Sequence, residues 1–352
     1  MSESKFQEIL VAPNTSIREV LHIIELNSSR IAIVVDQDHM VLGVVTDGDI
    51  RRGLLRGLSL RAEVHTVMNG NPLVMSEDVN HEEILSLAKS RGILAVPVTK
   101  NKKFKTLVSV YGAEEQQTIE NPVFIIAGGF GTRLKPLTDN CPKPMLPINQ
   151  KPLLEIIIKS FIRHGFVNFY ISTHYLANIV TDYFGDGSSI GVNIQYVHES
   201  KPLGTGGALG LLPAELIKSS FIMVNGDILT NLNWRRLLDF HNKSGGIATM
   251  CLRKYEHSVP YGVVESQDGK VIQMIEKPTK YFDINAGVYA VSPELLCQIK
   301  ANEAIDMPTI LEKNIDAGSH VSVFPIHESW IDVGGKDDLL RAEQELKSMG
   351  LE

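Results

Sequence analysis

The chain has 352 residues, 43% hydrophobic and 21% charged, a globular composition that excludes disorder and low complexity and leads one to expect two folded units. Its 34 Lys and Arg against 41 Asp and Glu give a net charge of −7, so broad nucleic-acid binding, which needs clustered cations, is not expected. Cys141, Cys251 and Cys297 are odd in number and widely spaced, which points to a reducing compartment with neither a disulfide framework nor a zinc site. The opening MSESKFQEIL lacks an apolar signal core, and no apolar run approaches the ~20 residues that span a bilayer. A soluble cytoplasmic protein without a membrane partner is the expectation.

The first 120 or so residues repeat themselves. At an offset of 63, Leu21 falls on Ile84, Ile24 on Leu87, Ala32 on Ala95, Ile33 on Val96, Val45 on Val108 and Thr46 on Ser109. Each copy reads as an amphipathic helix opened by a polar cap, Ser16 or Asn80, followed by two short Val/Ile-rich strands. The copies, about 8–62 and 63–118, are βαββ-type units too small for separate cores, so they are expected to pack together. Residues 113–122, AEEQQTIENP, are polar, aperiodic and end in Asn-Pro, which predicts a linker and a second domain over 121–352.

The first copy contains GVVTDGDIRRG, Gly43 to Gly53. These residues resemble the adenosyl-nucleotide signature of the CBS domains, and the repeat resembles their tandem pair, a small α+β module. The resemblance implies Thr46 and Asp49 as ribose ligands of an adenine nucleotide. An Asp at a helix start can equally cap the helix. Arg51, Arg52 and Arg56 would face a ligand phosphate or form a solvated helix face. In the second copy Gly112 replaces Asp49 while Ser109 remains, so one nucleotide site is expected rather than two. A structural or dimerising role is the alternative, and a homodimer or higher homo-oligomer is expected.

From Val123 the pattern changes to strands alternating with helical stretches: VFIIA, then LLEIIIKSFIRHG, FVNFYIST, NIQYVHE, FIMVNGD and GIATMCL. That is the rhythm of a Rossmann-like three-layer α/β/α domain, whose ligands gather beyond the carboxyl ends of the strands. The glycine-rich GGFGTR occupies that place after VFIIA. Glycines let backbone N–H groups approach an anion. The loop is neither a Walker A sequence nor a good dinucleotide fingerprint. Arg133 and Lys143 follow it, and a guanidinium and an ammonium beside backbone donors suit a polyphosphate.

The segment IIAGGFGTRLKPLTDNCPKPMLPI resembles the signature of the sugar-1-phosphate nucleotidyltransferases, and PLGTGGAL, VNGD, YGVVE, EKP, NAGVY and WIDVG follow in that family's order. The resemblance covers nearly all of 122–352. It implies that a nucleoside triphosphate and a sugar 1-phosphate give a nucleotide sugar and pyrophosphate. It places Arg133 and Lys143 on the triphosphate, with Gly128, Gly129, Gly131, Thr132, Glu199 and Gly204 around the nucleotide. It also puts Asp227 and Asp332 on Mg²⁺, Lys277 on the sugar phosphate, and Gly262, Glu276 and Asn285 on the sugar. The chemistry agrees with that scheme. A phosphate monoester has a second pKa of about 6 and is already an anionic nucleophile at neutral pH. No general base is needed, and no GxSxG, HExxH or Cys–His pairing is present. Taken singly, Asp227 and Asp332 could instead cap turns, and Lys277 could be an exposed ion-pair partner. Cys141 reads as a filler, and His164, His174 and His198 as helix-end or packing residues.

Glu199 stands where the family reads the base. A carboxylate only accepts, and the N1–H and N2–H₂ edge of guanine donates there, so GTP is favoured over UTP, dTTP or CTP. PLGTGG is also similar to guanylyltransferases for mannose and heptose phosphates. A paired CBS module ahead of such a domain resembles the arrangement in the glucosamine-1-phosphate guanylyltransferases of legionaminic acid synthesis, an analogy of domain order. Glucosamine 1-phosphate is therefore the expected sugar, with mannose 1-phosphate as runner-up. The remaining length leaves no room for a left-handed β-helix, so a bifunctional uridylyltransferase is not expected. A non-catalytic nucleotide-sugar-binding subunit is the alternative of another class.

Overall fold

A computed structural model of the protein describes residues 8–26, 30–93, 95–109, 118–213 and 217–351. Residues 1–7 of the opening stretch, Gly112 of the second copy and 113–117 of the polar linker lie outside these described residues. The chain divides into two compact units, Met1–Glu115 and Gln116–Glu352.

In the first unit, β1 (Leu10–Val11), α1 (Ile17–Leu26), β2 (Ile31–Val35), β3 (Val41–Thr46) and α2 (Asp47–Leu55) form one copy. The other has β4 (Met75–Ser76), α3 (His81–Ser90), β5 (Ala95–Lys100) and β6 (Lys103–Ser109). Each makes a three-stranded sheet whose first pair is parallel and second pair antiparallel, so the repeat in the sequence is a repeat of topology. At the start of α1 the Ser16 hydroxyl accepts from the Glu19 amide at 3.3 Å, and Glu19 Oε2 accepts from the Ser16 amide at 3.0 Å, a reciprocal cap. Asn80 accepts from the Glu82 amide at 3.1 Å. Ile17, Val20, Leu21 and Ile24 bury one helix face against Ala32, Val34 and Val45. The opposite sheet face joins the copies, because Ile31, Ile33 and Val35 cluster with Ala95, Phe104 and Leu107. Contrary to the expectation of units too small for separate cores, each copy also keeps a buried cluster of its own beneath its helix, Ile17, Val20, Ile24 and Val45 in one and Ile84, Ala88, Val96 and Val108 in the other.

In the second unit a seven-stranded sheet carries the fold. Its elements are β7 (Val123–Ile126), the hairpin β8 (Pro147–Ile148) and β9 (Lys151–Pro152), α4 (Leu153–Ile162), β10 (Asn168–Thr173), α5 (Ala177–Phe184) and β11 (Asn193–His198). There follow α6 (Gly204–Gly207), β12 (Phe221–Asn225), β13 (Ile228–Thr230), α7 (Trp234–Ser244), β14 (Ala248–Ser258), β15 (Val263–Gln267), β16 (Lys270–Ile275) and β17 (Thr279–Val291). Last come α8 (Met307–Asp316), β18 (Val321–Ile326), β19 (Trp330–Asp332) and α9 (Lys336–Glu345). The sheet order is β11-β10-β7-β12-β17-β14-β18, and only β17 runs against the others.

The central β7 reads VFII because both its faces are covered. Val123 and Ile125 enter the core on one side with Ile171, Ile222 and α4. Phe124 enters the core on the other with Tyr170, Met223 and Tyr289. The α4 segment is apolar nearly all round because it lies inside that first core, where Phe161 stacks on Trp234 with ring centroids 4.0 Å apart. In contrast, the outer halves of β14 and β17 and the two-stranded β15–β16 ribbon stand out into solvent. Among the described residues, no helix is long and apolar enough to cross a membrane.

Candidate active site

The parallel strands end on one edge, and Asp227, Asp332, Lys143, Arg133 and the glycine loop gather there. Asp227 follows β12, and its position depends on a glycine. A Cβ on Gly226 would stand 2.6 Å from the carbonyl oxygen of Ile126, and the Gly226 amide donates to that oxygen at 2.8 Å. The Gly-Asp turn is thereby locked onto the end of β7. Asp332 arrives from the far end of the unit: β13 pairs with β19 in antiparallel register, Ile228 opposite Asp332, and the Val333 amide donates to the Asp227 carbonyl at 2.9 Å. The structure thus brings the two acids side by side from positions over a hundred residues apart.

Lys143 reaches the same point. Its ammonium donates to Asp227 Oδ2 at 2.5 Å, with the lysine side chain 12% exposed. The other oxygen, Asp227 Oδ1, is buried without a hydrogen-bond partner, as are Asn225 Oδ1 and Asn231 Oδ1. The Arg133 guanidinium lies over Gly334, where an added Cβ would touch both terminal nitrogens at 3.4 Å, so it leans on the loop after Asp332. Asp332 titrates above the usual carboxylate range because protein surrounds one side of it and the negative Asp227 is its neighbour; Lys143 and Arg133 oppose that rise. Two cations and two carboxylates therefore share one electrostatic neighbourhood.

The glycine loop folds beside this centre. Gly131 has φ 61°, a left-handed conformation that suits glycine, and a Cβ there would meet Thr138 Cγ2 at 2.9 Å and Lys143 Cβ at 3.0 Å. Thr138 donates to the Gly131 carbonyl at 2.9 Å, so the loop and the lysine segment are fitted to each other. Thr132 and Arg133 are exposed at the start of the short turn Thr132–Leu134, and Gly129 has open space around it. Gly128 lies directly on Glu199, with 2.7 Å from its virtual Cβ to Oε1. Glu199 is buried, and its Oε2 accepts from the Leu203 amide at 3.0 Å. One oxygen is thus committed to the backbone, and the other lies beneath the loop. His174 packs beside it, its Nδ1 2.7 Å from the Glu199 carbonyl oxygen. Gly204, at φ 76°, packs against Asp306 and Ile305, and Asp306 accepts from the Thr205 amide at 2.9 Å; the glycines of PLGTGG allow close packing here.

The residues implied for the sugar divide into two places. Asn285 on β17 is held at both ends, donating to the Tyr289 hydroxyl and accepting from the Gly287 amide at 3.0 Å. Gly287, at φ 69°, leaves room for the Asn225 amide, 2.7 Å from its virtual Cβ. Gly287 therefore lies against both Asn285 and Asn225, the latter two residues before Asp227. Gly262, Glu276 and Lys277 lie elsewhere, at the foot of the exposed ribbon. Glu276 Oε2 is 2.9 Å from the virtual Cβ of Gly262, and Lys277, at φ 45°, forms no ion pair among the described residues.

In the first unit Thr46 and Asp49 form a reciprocal cap of α2. Thr46 donates its hydroxyl to Asp49 Oδ2 at 2.6 Å, and the Asp49 amide donates to Thr46 Oγ1 at 3.3 Å. Arg52 binds Asp49 Oδ1 at 2.6 Å. Arg51 departs from both sequence expectations, because it is buried and paired with the buried Asp47 at 2.7 Å; a guanidinium without water needs such a partner.

Sequence reasoning missed Asn225, Gly226, Gly287 and Gly334. All four sit inside motifs it quoted, VNGD, NAGVY and WIDVG, and for the three glycines their identity was the available signal. Burial raises the Cys141 thiol, in keeping with a filler.

Comparison with known proteins gives the family. The nucleotidyl transferase family model matches residues 123–349, and the CBS domain model matches residues 6–56. Over 227 residues the chain is 34% identical to the mannose-1-phosphate guanylyltransferase catalytic subunit beta of Dictyostelium discoideum, covering 61% of this chain and 62% of that protein. Over 237 residues it is 31% identical to the UTP–glucose-1-phosphate uridylyltransferase of Synechocystis, covering 62% and 61%. The chain spans about three fifths of the length of these curated relatives. The crystal structure of HddC from Yersinia pseudotuberculosis superposes with a TM-score of 0.51 at 25% identity, covering 64% of this chain and 99% of that one. The ordered edge of the sheet, its paired acids and the matched length lead to one statement: the chain belongs to the nucleotidyl transferase family, with a CBS domain ahead of it.

Proposed function

We propose that the protein transfers a nucleotidyl group from a nucleoside triphosphate to a sugar 1-phosphate. The observation that carries this reading is the Lys143–Asp227–Asp332–Arg133 cluster, with one oxygen of Asp227 buried and unpartnered. A sugar phosphate oxygen, anionic without help, attacks the α-phosphorus; the bond to the bridging oxygen breaks and pyrophosphate leaves. No proton needs to move, so the chain's work is alignment and charge neutralisation. Lys143 and Arg133 neutralise the triphosphate, and the N–H groups of the Gly128–Gly131 loop line its path. Asn285, held in place by Tyr289 and Gly287, would stand on the sugar side.

The two carboxylates and the orphaned Asp227 Oδ1 fit a hard divalent cation, which takes oxygen ligands. Asp227 and Asp332 would hold Mg²⁺, and the ion would add positive charge beside the phosphates. Glu199 supports GTP as donor, since its Oε1 lies under Gly128 and only accepts hydrogen bonds. Glucosamine 1-phosphate is our favoured acceptor on domain order. Mannose 1-phosphate is the second reading, favoured by curated relatives named as mannose-1-phosphate guanylyltransferases in Dictyostelium discoideum and Mycobacterium tuberculosis. The CBS pair is read as an adenine-nucleotide site at Thr46 and Asp49 and as a dimerising module.

The deciding experiment is a matrix of GTP, UTP, dTTP and CTP against hexose 1-phosphates with Mg²⁺, read as pyrophosphate release. Turnover with GTP, abolished in Asp227→Ala, is the expected result. Silence with every pair would return the protein to a nucleotide-sugar-binding subunit. Calorimetry with AMP, ADP and ATP on wild type and Asp49→Ala tests the first unit, where identical blank titrations would end the regulatory reading.

A further inference from the structure

The glycine loop carries a residue that holding a triphosphate does not require. Phe130 stands between Gly129 and Gly131 and is 45% exposed. Its ring is braced from behind by two others, edge-on to His174 with centroids 5.3 Å apart at 86°, and tilted against Tyr175 at 5.6 Å and 50°. Both braces are anchored. His174 is bonded to the Glu199 carbonyl at 2.7 Å, and the Tyr175 hydroxyl donates to the carbonyls of Asp139 at 2.8 Å and Thr138 at 3.2 Å. The same residues adjoin Glu199: the virtual Cβ of Gly128 lies 2.7 Å from Glu199 Oε1 and 3.4 Å from His174 Cβ. A rigid ring with an open side therefore stands beside a buried acceptor, on the loop that follows the central strand.

We propose that Phe130 is a platform for the nucleobase: the base lies against its open side while Glu199 meets the hydrogen-bonding edge. The proposal rests on the nucleotidyl-transfer reading and deepens it. Its chemical logic is that glycines and cations grip phosphates of any nucleotide, whereas an aromatic ring recognises only the ligand part that has a π-face. Phe130 thus converts a polyphosphate site into a nucleotide site, and Glu199 then chooses among bases.

The test uses the full chain and two probes with Mg²⁺, GTP and inorganic tripolyphosphate, the second having the charge without the base. Calorimetry follows both on wild type, Phe130→Ala, Phe130→Tyr and Phe130→Leu, the last keeping bulk against His174 and Tyr175 without an aromatic face; thermal melting checks that each variant folds. The expected result is GTP bound about tenfold more weakly by the Ala and Leu variants, tripolyphosphate bound as by wild type, and GTP affinity restored by Tyr. Unchanged GTP affinity in both, or equal losses for both probes, overturns the proposal and makes Phe130 a brace of the loop. A wild type that binds GTP but releases no pyrophosphate refutes transfer and leaves the platform intact. A wild type that binds none of GTP, UTP, dTTP and CTP refutes both.

Discussion

Replacing Gly226 by alanine isolates the device that sets Asp227. The new Cβ would lie 2.6 Å from the Ile126 carbonyl oxygen and 3.4 Å from Ala127 Cα. Both are backbone atoms, so no side chain can swing aside. Restoring ordinary van der Waals contact requires the turn to retreat from β7 by roughly 0.8 Å, and the 2.8 Å hydrogen bond from the Gly226 amide stretches with it. Overpacking of this kind costs about 1–3 kcal/mol, or a few degrees of melting temperature for a unit of this size. The larger effect falls on turnover. Asp227 moves with its turn, and a misplacement near 1 Å is worth about 10²-fold. Pyrophosphate release should drop by about that factor while the melting temperature falls only slightly. Gly129→Ala is the comparison, since nothing lies within 4 Å of its added Cβ: its melting temperature should hold and only the KM for nucleotide should rise. Wild-type turnover in a folded Gly226→Ala protein would refute the reasoning, because the acid's placement would then not matter.

Three further outcomes follow from the same geometry. Lys143→Met removes the ammonium 2.5 Å from Asp227 and should lower kcat by about 10²–10³ with little change in melting, since Asp227 keeps access to water; steady-state kinetics with circular dichroism melting decides it. Glu199→Gln keeps an acceptor for the Leu203 amide but adds a donor, so the preference for GTP over UTP should shrink by about tenfold; equal ratios of kcat/KM in both proteins would remove Glu199 from base reading. His241 is buried between Thr249 and Ser292, and burial lowers its imidazole pKa, with Glu294 opposing. The unfolded imidazole titrates near ~6.5, so as pH falls below that value the unfolded chain takes up a proton that the folded one refuses. Stability contributed above ~6.5 is then lost by up to about 1.4 kcal/mol per pH unit. His241→Gln should flatten the melting temperature between about pH 7 and 5, and an unaltered slope would contradict the assignment.

Much of this was legible in one dimension. The alternation of strand and helix, the offset of 63 and the apolar VFII are consequences of local period and burial, which residue order states directly. The acids, the lysine and the glycine loop were readable because each is confined to a short motif. The sequence could not show which partners those groups take. Asp332 neighbours Asp227 only because β19 pairs with β13, Arg133 leans on Gly334, and Arg51 turns inward to Asp47 instead of facing solvent or ligand. What Gly226 and Gly287 are for shows only in the approach of Ile126 and Asn225, which a side chain there would strike. Local order dictates backbone habit and the supply of charge. Which charges meet, and which are stripped of water, depends on strand pairing between segments far apart in the chain, and no local pattern encodes that register.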